Sequence, residues 1–280
     1  MNHWISFKEI SRSTSLVIGS FLCFLMILIA LISIVWTPFP PDQLDIVNRL
    51  NGPNYQHWLG TDHFGRDVAS RIMEGTLNAV LVGGIAISIG LVGGFLLGIS
   101  SVLFGGWYEV GIMRIADFTF AFPALLIAIL LTSSIGSGIY TSIIAIGIFN
   151  IPVFARIIRA SAKSVLRKEF AVAAKAIGKR KIWILFDHII PNIVGVIIIQ
   201  VAISFSIALL AESGLSYLGI GTQPPNASWG LMLYESRTFL SEAPYLGIFP
   251  GVSIALSVLG VTLFGDGLRD LLDPKDNSIY

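Results

Sequence analysis

The chain has 280 residues, of which 54% are hydrophobic and only 12% are charged, and its net charge at pH 7 is +1. A soluble domain carries about 25% charged residues, so this composition excludes an ordinary water-soluble protein and indicates a chain surrounded by membrane lipid. The small net charge provides no field for nucleic acid, and the single cysteine, Cys23, excludes a disulfide scaffold.

Six apolar runs are long enough to be considered as membrane spans, since a helix crosses the bilayer core with roughly 20 residues. The first run, residues 16–36, contains no charged residue and is followed by Pro38. It is longer than the ~7–15 residues of a secretion signal and lacks a cleavage site, so we interpret it as a retained anchor. The other runs cover about residues 77–104, 115–134, 139–154, 193–211 and 245–264. The predicted fold class is therefore an all-α polytopic membrane protein with six transmembrane helices.

The distribution of basic residues predicts the orientation of these spans. If the N-terminus is cytoplasmic, the segments on that side hold fourteen of the eighteen Lys and Arg residues. Basic residues accumulate on the cytoplasmic side of membrane proteins, so both termini are predicted to be cytoplasmic.

Small residues in the second run predict close helix packing. Gly90, Gly94 and Gly98 recur every four residues, with Ala86 one step earlier. Such a stripe lets another helix approach closely. We favour packing within the subunit over contact between two subunits.

Polar groups inside the spans are the candidates for lining a solute pathway, because they are costly in lipid and usually face a cavity or a partner. The candidates are Asn150, Gln200, Ser204, Ser206 and Glu212. Joining of neighbouring helices is the alternative role for each of them. At the start of the third run, Arg114 and Asp117 are expected to form a local ion pair.

The segment between the fourth and fifth runs, residues 155–192, holds nine of the eighteen basic residues. Its apolar residues recur with helical spacing at Phe170, Ala173, Ala174 and Ile177, and again at Ile182, Leu185, Phe186 and Ile189. Gly178 is expected to end the first of these two helices, and Pro191 to end the second. The segment is either only a topological signal or a docking element for a cytoplasmic partner, and the two-helix pattern favours docking.

Two loops on the opposite side have distinctive compositions. Residues 57–67 contain His57, Asp62, His63 and Asp67, which are capable of binding a metal such as nickel. The glycines at 60 and 65 instead favour a tight loop without a metal, in which His63 alone contacts cargo. The second loop, residues 219–230, is rich in glycine and proline and is expected to lie over the ends of the spans.

Motifs for catalysis are missing from the sequence. It contains no GxxxxGK[ST] loop for ATP phosphates and no HExxH, CxxC or GxSxG motif. We therefore expect no enzymatic activity, no cofactor and no metal site. Uphill transport would then need a partner or an ion gradient as its source of energy.

Three stretches carry a family resemblance. They are HWLGTDHFGRDVASRI at 57–72, EFAVAAKAIG and HIIPN within 169–192, and ESGLSYLGIGTQPPNASWG at 212–230 followed by FPG and GDGLRDLLDP. In order and spacing the chain resembles the oligopeptide/dipeptide/nickel permease family of ATP-binding-cassette importers, and in particular the second of the two membrane subunits.

The resemblance implies a role for the segment at about 159–192 as the loop that couples to an ATPase. The matching residues are Glu169, Ala173, Ala174, Gly178, His188 and Pro191. One departure concerns the acidic residue of the usual E-A-A triplet, because Val172 occupies its position and Glu169 lies one helical turn earlier. A docking salt bridge is therefore not transferred to Val172.

The resemblance also implies a type I importer permease fold in a bacterial inner membrane. Residues 1–75 would form a cytoplasmic tail, the first span and an extracytoplasmic loop, and residues 76–280 a five-helix core. The implied partners are a second homologous permease, two cytoplasmic ATP-binding subunits and an extracytoplasmic solute-binding protein, which the 219–230 loop could contact. Peptides are the favoured cargo, with nickel or metal–chelator complexes as the alternative. An ion-coupled carrier and a membrane scaffold are weaker alternatives.

Overall fold

The computed structural model describes residues 13–121 and 124–272, and this part of the chain is almost entirely helical. The long helices are α1 (Thr14–Val35), α2 (Val68–Phe104), α5 (Ile139–Leu166), α8 (Ile190–Tyr217) and α10 (Tyr245–Leu272). The shorter ones are α3 (Gly106–Ala121), α4 (Ala124–Ile135), α6 (Glu169–Ala176), α7 (Lys181–Ile184) and α9 (Trp229–Ser236). A 3-10 helix covers Ile46–Asn48, and a π-helical turn, Leu185–Ile189, joins α7 to α8.

Five helical stretches are long and apolar enough to cross a membrane. They are α1, α2, α5, α10 and the continuous stretch Lys181–Tyr217, and a shorter apolar helix covers Leu126–Ile135. These helices confirm the prediction of an all-α, multi-pass membrane protein. The ends of the chain, on which the predicted cytoplasmic termini depend, lie outside the described residues.

Two of the predicted spans have different bounds in the structure. The run at 115–134 is divided between α3 and α4, and α4, with 12 residues, is only about 18 Å long. Helix α2 begins nine residues before the apolar run, because the Asp67 carboxylate accepts a hydrogen bond from the Ser70 amide at 2.8 Å and caps the helix.

Helix α1 packs antiparallel on α10 through glycines. A Cβ atom added at Gly267 would lie 2.6 Å from Leu16, and one at Gly260 would lie 2.6 Å from the Leu22 side chain. A Cβ at Gly19 would lie 2.2 Å from the backbone of Phe264. The two ends of the described chain therefore lie on the same side of the membrane.

The glycine stripe of α2 lies against α5 of the same chain. Added Cβ atoms at Gly90 and Gly94 would lie 2.5 Å and 2.4 Å from the Cβ atoms of Asn150 and Phe154. At Gly98 the nearest atom would be a backbone oxygen of α5 at 2.8 Å. Since the two backbones meet along about two helical turns, no side chain can be accommodated at these positions.

Candidate functional site

The knob, defined here as residues 167–189, lies between α5 and α8. Its first helix, α6, ends in a Schellman motif, in which the Gly178 amide donates to the Lys175 carbonyl at 3.0 Å and the Lys179 amide donates to Ala174 at 3.1 Å. Gly178 has φ +82°, a conformation that glycine adopts without strain. The helix end that the sequence indicated is therefore formed by hydrogen bonds as well as by backbone freedom.

The apolar residues of α6 are divided between the core and the surface. Ala171 and Ala174 are buried, and Ala174 belongs to the main hydrophobic core together with Val165 and Leu185. Ala173, which was expected on the same face as Ala174, is exposed, and Ile177 is 83% exposed. The knob therefore exposes an apolar tip at Ile177.

The return segment of the knob is fixed by Lys179 and Lys181. The Lys179 ammonium lies 2.7 Å from the Asp187 carboxylate and 3.4 Å from Nε2 of His188. Lys181 Nζ donates to the Leu103 carbonyl at 2.6 Å, near the C-terminal end of α2. The knob is therefore attached to α2 as well as to the two helices that flank it.

Pro191 does not end a helix, contrary to the sequence-based expectation. Helical structure continues from Lys181 to Tyr217 because the preceding turn widens to a π-helix, in which the Ile190 amide donates to the Leu185 carbonyl. Asn192 Nδ2 donates to the His188 carbonyl at 2.7 Å. The wide turn accommodates a residue that lacks an amide proton and would crowd an α-helical turn.

The basic residues near the knob are partly neutralised within the chain. Arg156, on α5, donates to Asp117, on α3, at 2.6 Å. The expected ion pair between Arg114 and Asp117 is therefore wrong, because the partner of Asp117 comes from another helix. Arg159 and Lys163, on the last turns of α5, both bind the Glu109 carboxylate. The hydrogen bond from Lys163 is the largest influence that lowers the pKa of Glu109.

A cavity of about 410 Å³ lies between α4, α5 and α8. Its wall is apolar except for Asn150, whose amide donates to the Ile146 carbonyl of its own helix at 2.8 Å. Ile207, Leu210 and Gly214 form its α8 side. Asn150 is the candidate pathway residue that the structure places on a cavity.

The other polar candidates bind neighbouring protein groups. Gln200 Nε2 donates to the Ser204 hydroxyl at 3.0 Å, and Thr262 of α10 donates to Ser206 at 3.2 Å. Glu212 is 2% exposed. Its carboxylate accepts hydrogen bonds from Ser216 at 2.7 Å and Thr222 at 3.1 Å. These contacts join α8 to α10 and to the loop that follows α8.

At the other end of the helices, residues 37–67 and 218–244 form a compact unit, here called the cap. Asp62 binds the Arg66 guanidinium at 2.6 Å, and Glu235 of α9 binds Arg66 at 2.8 Å and Arg71 at 3.2 Å. His57 Nδ1 lies 2.9 Å from Asp67. Among the described residues, no group of three or more His, Cys, Asp or Glu side chains is arranged to hold a metal.

The loop at 219–230 lies over the start of α2. Trp229 is 2% exposed, and its indole donates to the Ile72 carbonyl at 3.2 Å. Asn78 Nδ2 donates to the Ala227 carbonyl at 2.6 Å. The sequence predicted an ordered loop here. It did not predict which buried charges of the cap pair with one another, because the paired residues are up to 169 positions apart in the chain.

Comparison with known proteins adds to this geometry. Residues 90–276 match the family described as "binding-protein-dependent transport system inner membrane component". The chain is 40% identical to the dipeptide transport system permease protein DppC of Alkalihalophilus pseudofirmus, over 98% of this chain and 90% of the relative. It is also 40% identical to the glutathione transport system permease protein GsiD of Salmonella paratyphi A, over 97% of this chain and 89% of that protein.

A solved structure shares the fold. A chain of the MetNI methionine ABC transporter, in an inward-facing conformation, superposes with a TM-score of 0.57 at 14% sequence identity. The match covers 71% of this chain and 94% of that chain. Nearly the whole fold of that chain is thus present here, together with additional residues.

Proposed function

Since the chain belongs to the family of binding-protein-dependent transport system inner membrane components, we propose that it is a permease subunit of an ATP-driven importer of peptides. The observation that carries the choice of cargo is the 40% identity, over nearly the whole chain, to a dipeptide permease. A second relative, with the same identity, is a permease for glutathione, which is itself a tripeptide. In this proposal the chain forms half of a pathway through a bacterial inner membrane.

The knob is the proposed site of coupling to an ATPase. Its exposed tip at Ile177 would insert into a groove on the partner, and the Schellman turn at Gly178 would hold that tip in a fixed position. Lys181 and the π-helical turn link the knob to α2 and α8. A rigid-body movement of the knob would thereby reach both helices, with the energy supplied by ATP binding to the partner.

The cavity beside Asn150 is the proposed part of the pathway within this subunit. It lies between α4, α5 and α8. A second, homologous permease would provide the opposite wall. An extracytoplasmic binding protein would deliver the peptide to the cap, which its buried ion pairs keep rigid.

Co-purification through a tag on this chain tests the proposed assembly. We expect to recover a second permease and two ATP-binding subunits from native membranes. The recovered complex, reconstituted in proteoliposomes with its binding protein, should accumulate a dipeptide only when ATP is supplied on the ATPase side. Recovery of a stable chain without an ATPase would contradict the proposal, and uptake of nickel without peptide uptake would contradict the cargo.

A further inference from the structure

A polar pocket of about 310 Å³ opens on the cap, away from the cavity beside Asn150. Five residues line it, and they come from three separate segments of the chain: Arg49, Leu50, His63, Phe239 and Glu242. Its volume lies at the lower end of the range of about 300–1,000 Å³ that small-molecule sites occupy. The pocket is therefore large enough for a ligand of the size of an amino acid or a short peptide.

One wall of the pocket is held in an unusual backbone conformation. Leu50 has φ +54°, the only positive φ of a non-glycine residue among those described. Its amide donates to the Asp62 carbonyl at 2.9 Å, and the Asn51 amide donates to the Thr61 hydroxyl at 3.0 Å. Such conformations persist where the surroundings fix them, and they concentrate at ligand sites.

The floor of the pocket is flat and uncharged. The His63 imidazole stacks on the Phe239 ring, with 5.1 Å between the ring centroids and 16° between the planes. Burial lowers the pKa of His63, so the imidazole is neutral at neutral pH. The floor therefore offers stacking and hydrogen bonding but no net charge.

The two charged residues of the pocket have opposite signs. Arg49 precedes Leu50, whereas Glu242 lies between α9 and α10. Within residues 13–121 and 124–272 neither of them forms an ion pair. The cluster that joins the 62–71 segment to α9 differs in this respect, because its carboxylates and guanidinium groups bind one another. The pocket thus has a positive and a negative group that remain available, and no net charge.

We propose that this pocket binds a small zwitterion, an amino acid or a short peptide with free termini, on the outer face of the permease. Arg49 would bind the carboxylate of the ligand and Glu242 its ammonium group, while the chain between them lies on His63 and Phe239. This inference rests on the proposed function, since the peptides imported by such a system carry both charges. A site here would hold the peptide on the outer face, between its release from the binding protein and its entry into the pathway.

The affinity is expected to be low. Both charged side chains are exposed to water, and exposed ion pairs contribute little. A dissociation constant in roughly the millimolar range suits a site that must also release its ligand. Saturation-transfer NMR detects binding in this range.

The test uses the complete transporter in lipid nanodiscs, without its binding protein, and alanyl-alanine as the probe. N-acetylation and C-amidation of the probe each remove one charge, and in the wild type each change should weaken binding roughly threefold. Arg49→Gln should bind the free and the amidated dipeptide equally, and Glu242→Gln should bind the free and the acetylated dipeptide equally. Arg237→Gln, a basic residue of the cap outside the pocket, is the matched control.

Several outcomes would overturn the inference. The inference is wrong if alanyl-alanine binds equally well to the wild type and to both variants. It is also wrong if a complex that transports the dipeptide shows no binding of it. Reduced uptake with unchanged dipeptide binding would identify the pocket as a contact for the binding protein instead. The proposed function is judged by a separate measurement, which is the ATP-dependent transport of peptide by the wild-type complex.

Discussion

The guanidinium group of Arg71, at the start of α2, lies 3.2 Å from the carboxylate of Glu235, at the end of α9 and 164 residues away. Arg71 is 1% exposed, and Glu235 also binds Arg66. Asp62 also lies beside both guanidinium groups, so two carboxylates neutralise the two buried cations, and Glu235 joins this cluster to α9.

Replacement of Glu235 by Gln should destabilise the subunit strongly. The substitution leaves Asp62 to compensate two buried guanidinium groups, and breaking a buried ion pair costs about 3–5 kcal/mol. Thermal unfolding of the purified complex would show the loss as a lower Tm. Glu242→Gln changes a carboxylate of the cap that forms no ion pair in the described part of the chain, and it should leave the Tm unchanged. Equal stability of the two variants would contradict the role of the cluster.

Replacement of Gly178 by Val should uncouple ATP hydrolysis from uptake. No atom lies within 4 Å of an added Cβ there, so the substitution acts through its φ of +82° and not through a clash. A left-handed conformation costs an ordinary residue about 1–2 kcal/mol, which favours a rearranged turn. Asn tolerates this conformation, and Gly178→Asn should keep coupling. The ratio of peptide imported to ATP hydrolysed measures the difference, and normal uptake by Gly178→Val would contradict the docking of the knob.

Replacement of Ile177 by Glu should weaken ATPase binding while the permease itself remains folded. The side chain is 83% exposed, so the change disturbs little inside this chain. A charge buried in an apolar groove of a partner would be costly. Recovery of ATPase with the tagged variant should fall roughly tenfold. Lys175→Glu, two residues earlier in the knob, changes charge without removing an apolar contact and is the matched control.

Replacement of Gly94 by Leu should prevent assembly of the subunit. The added Cβ alone would lie 2.4 Å from Phe154 and 2.6 Å from a backbone oxygen of α5. Gly84, on the same helix, has nothing within 4 Å of its Cβ position, so Gly84→Leu is the matched control. Yields of detergent-extracted complex compare the two. Similar yields would contradict the requirement for a close approach of α2 and α5.

Low pH should remove the contribution of Glu109 to stability. Its pKa is lowered from 4.5 by Lys163 and Arg159, so the folded state binds a proton less readily than the unfolded state. The stabilisation is therefore complete above about pH 4.5 and is lost as the pH falls through the lowered pKa. The difference in Tm between the wild type and Glu109→Gln should shrink over that interval. A difference that is constant down to pH 3 would contradict the assignment.

Local sequence patterns predicted the helices and the family but not the long-range contacts. The length and charge of the apolar runs indicated the multi-pass fold, and the comparisons confirm the resemblance to the peptide permease branch. Gly178 was recognisable because the end of a helix depends on a few adjacent residues. The partner of Asp117 was not, since Arg156 lies 39 residues away on another helix. The prediction that Pro191 ends a helix failed for a related reason. A π-helical turn depends on hydrogen bonds that the spacing of apolar residues does not reveal.

The packing of α1 on α10 has a consequence for biogenesis. The residues that fit the glycines of α10 are made more than two hundred positions before their partners, at Leu16 and Leu22. During translation the side of α1 that faces α10, including Gly19, therefore stays uncovered until α10 is inserted. In nascent chains arrested before α10 is made, we expect this side of α1 to be accessible, and completion of the chain to cover it.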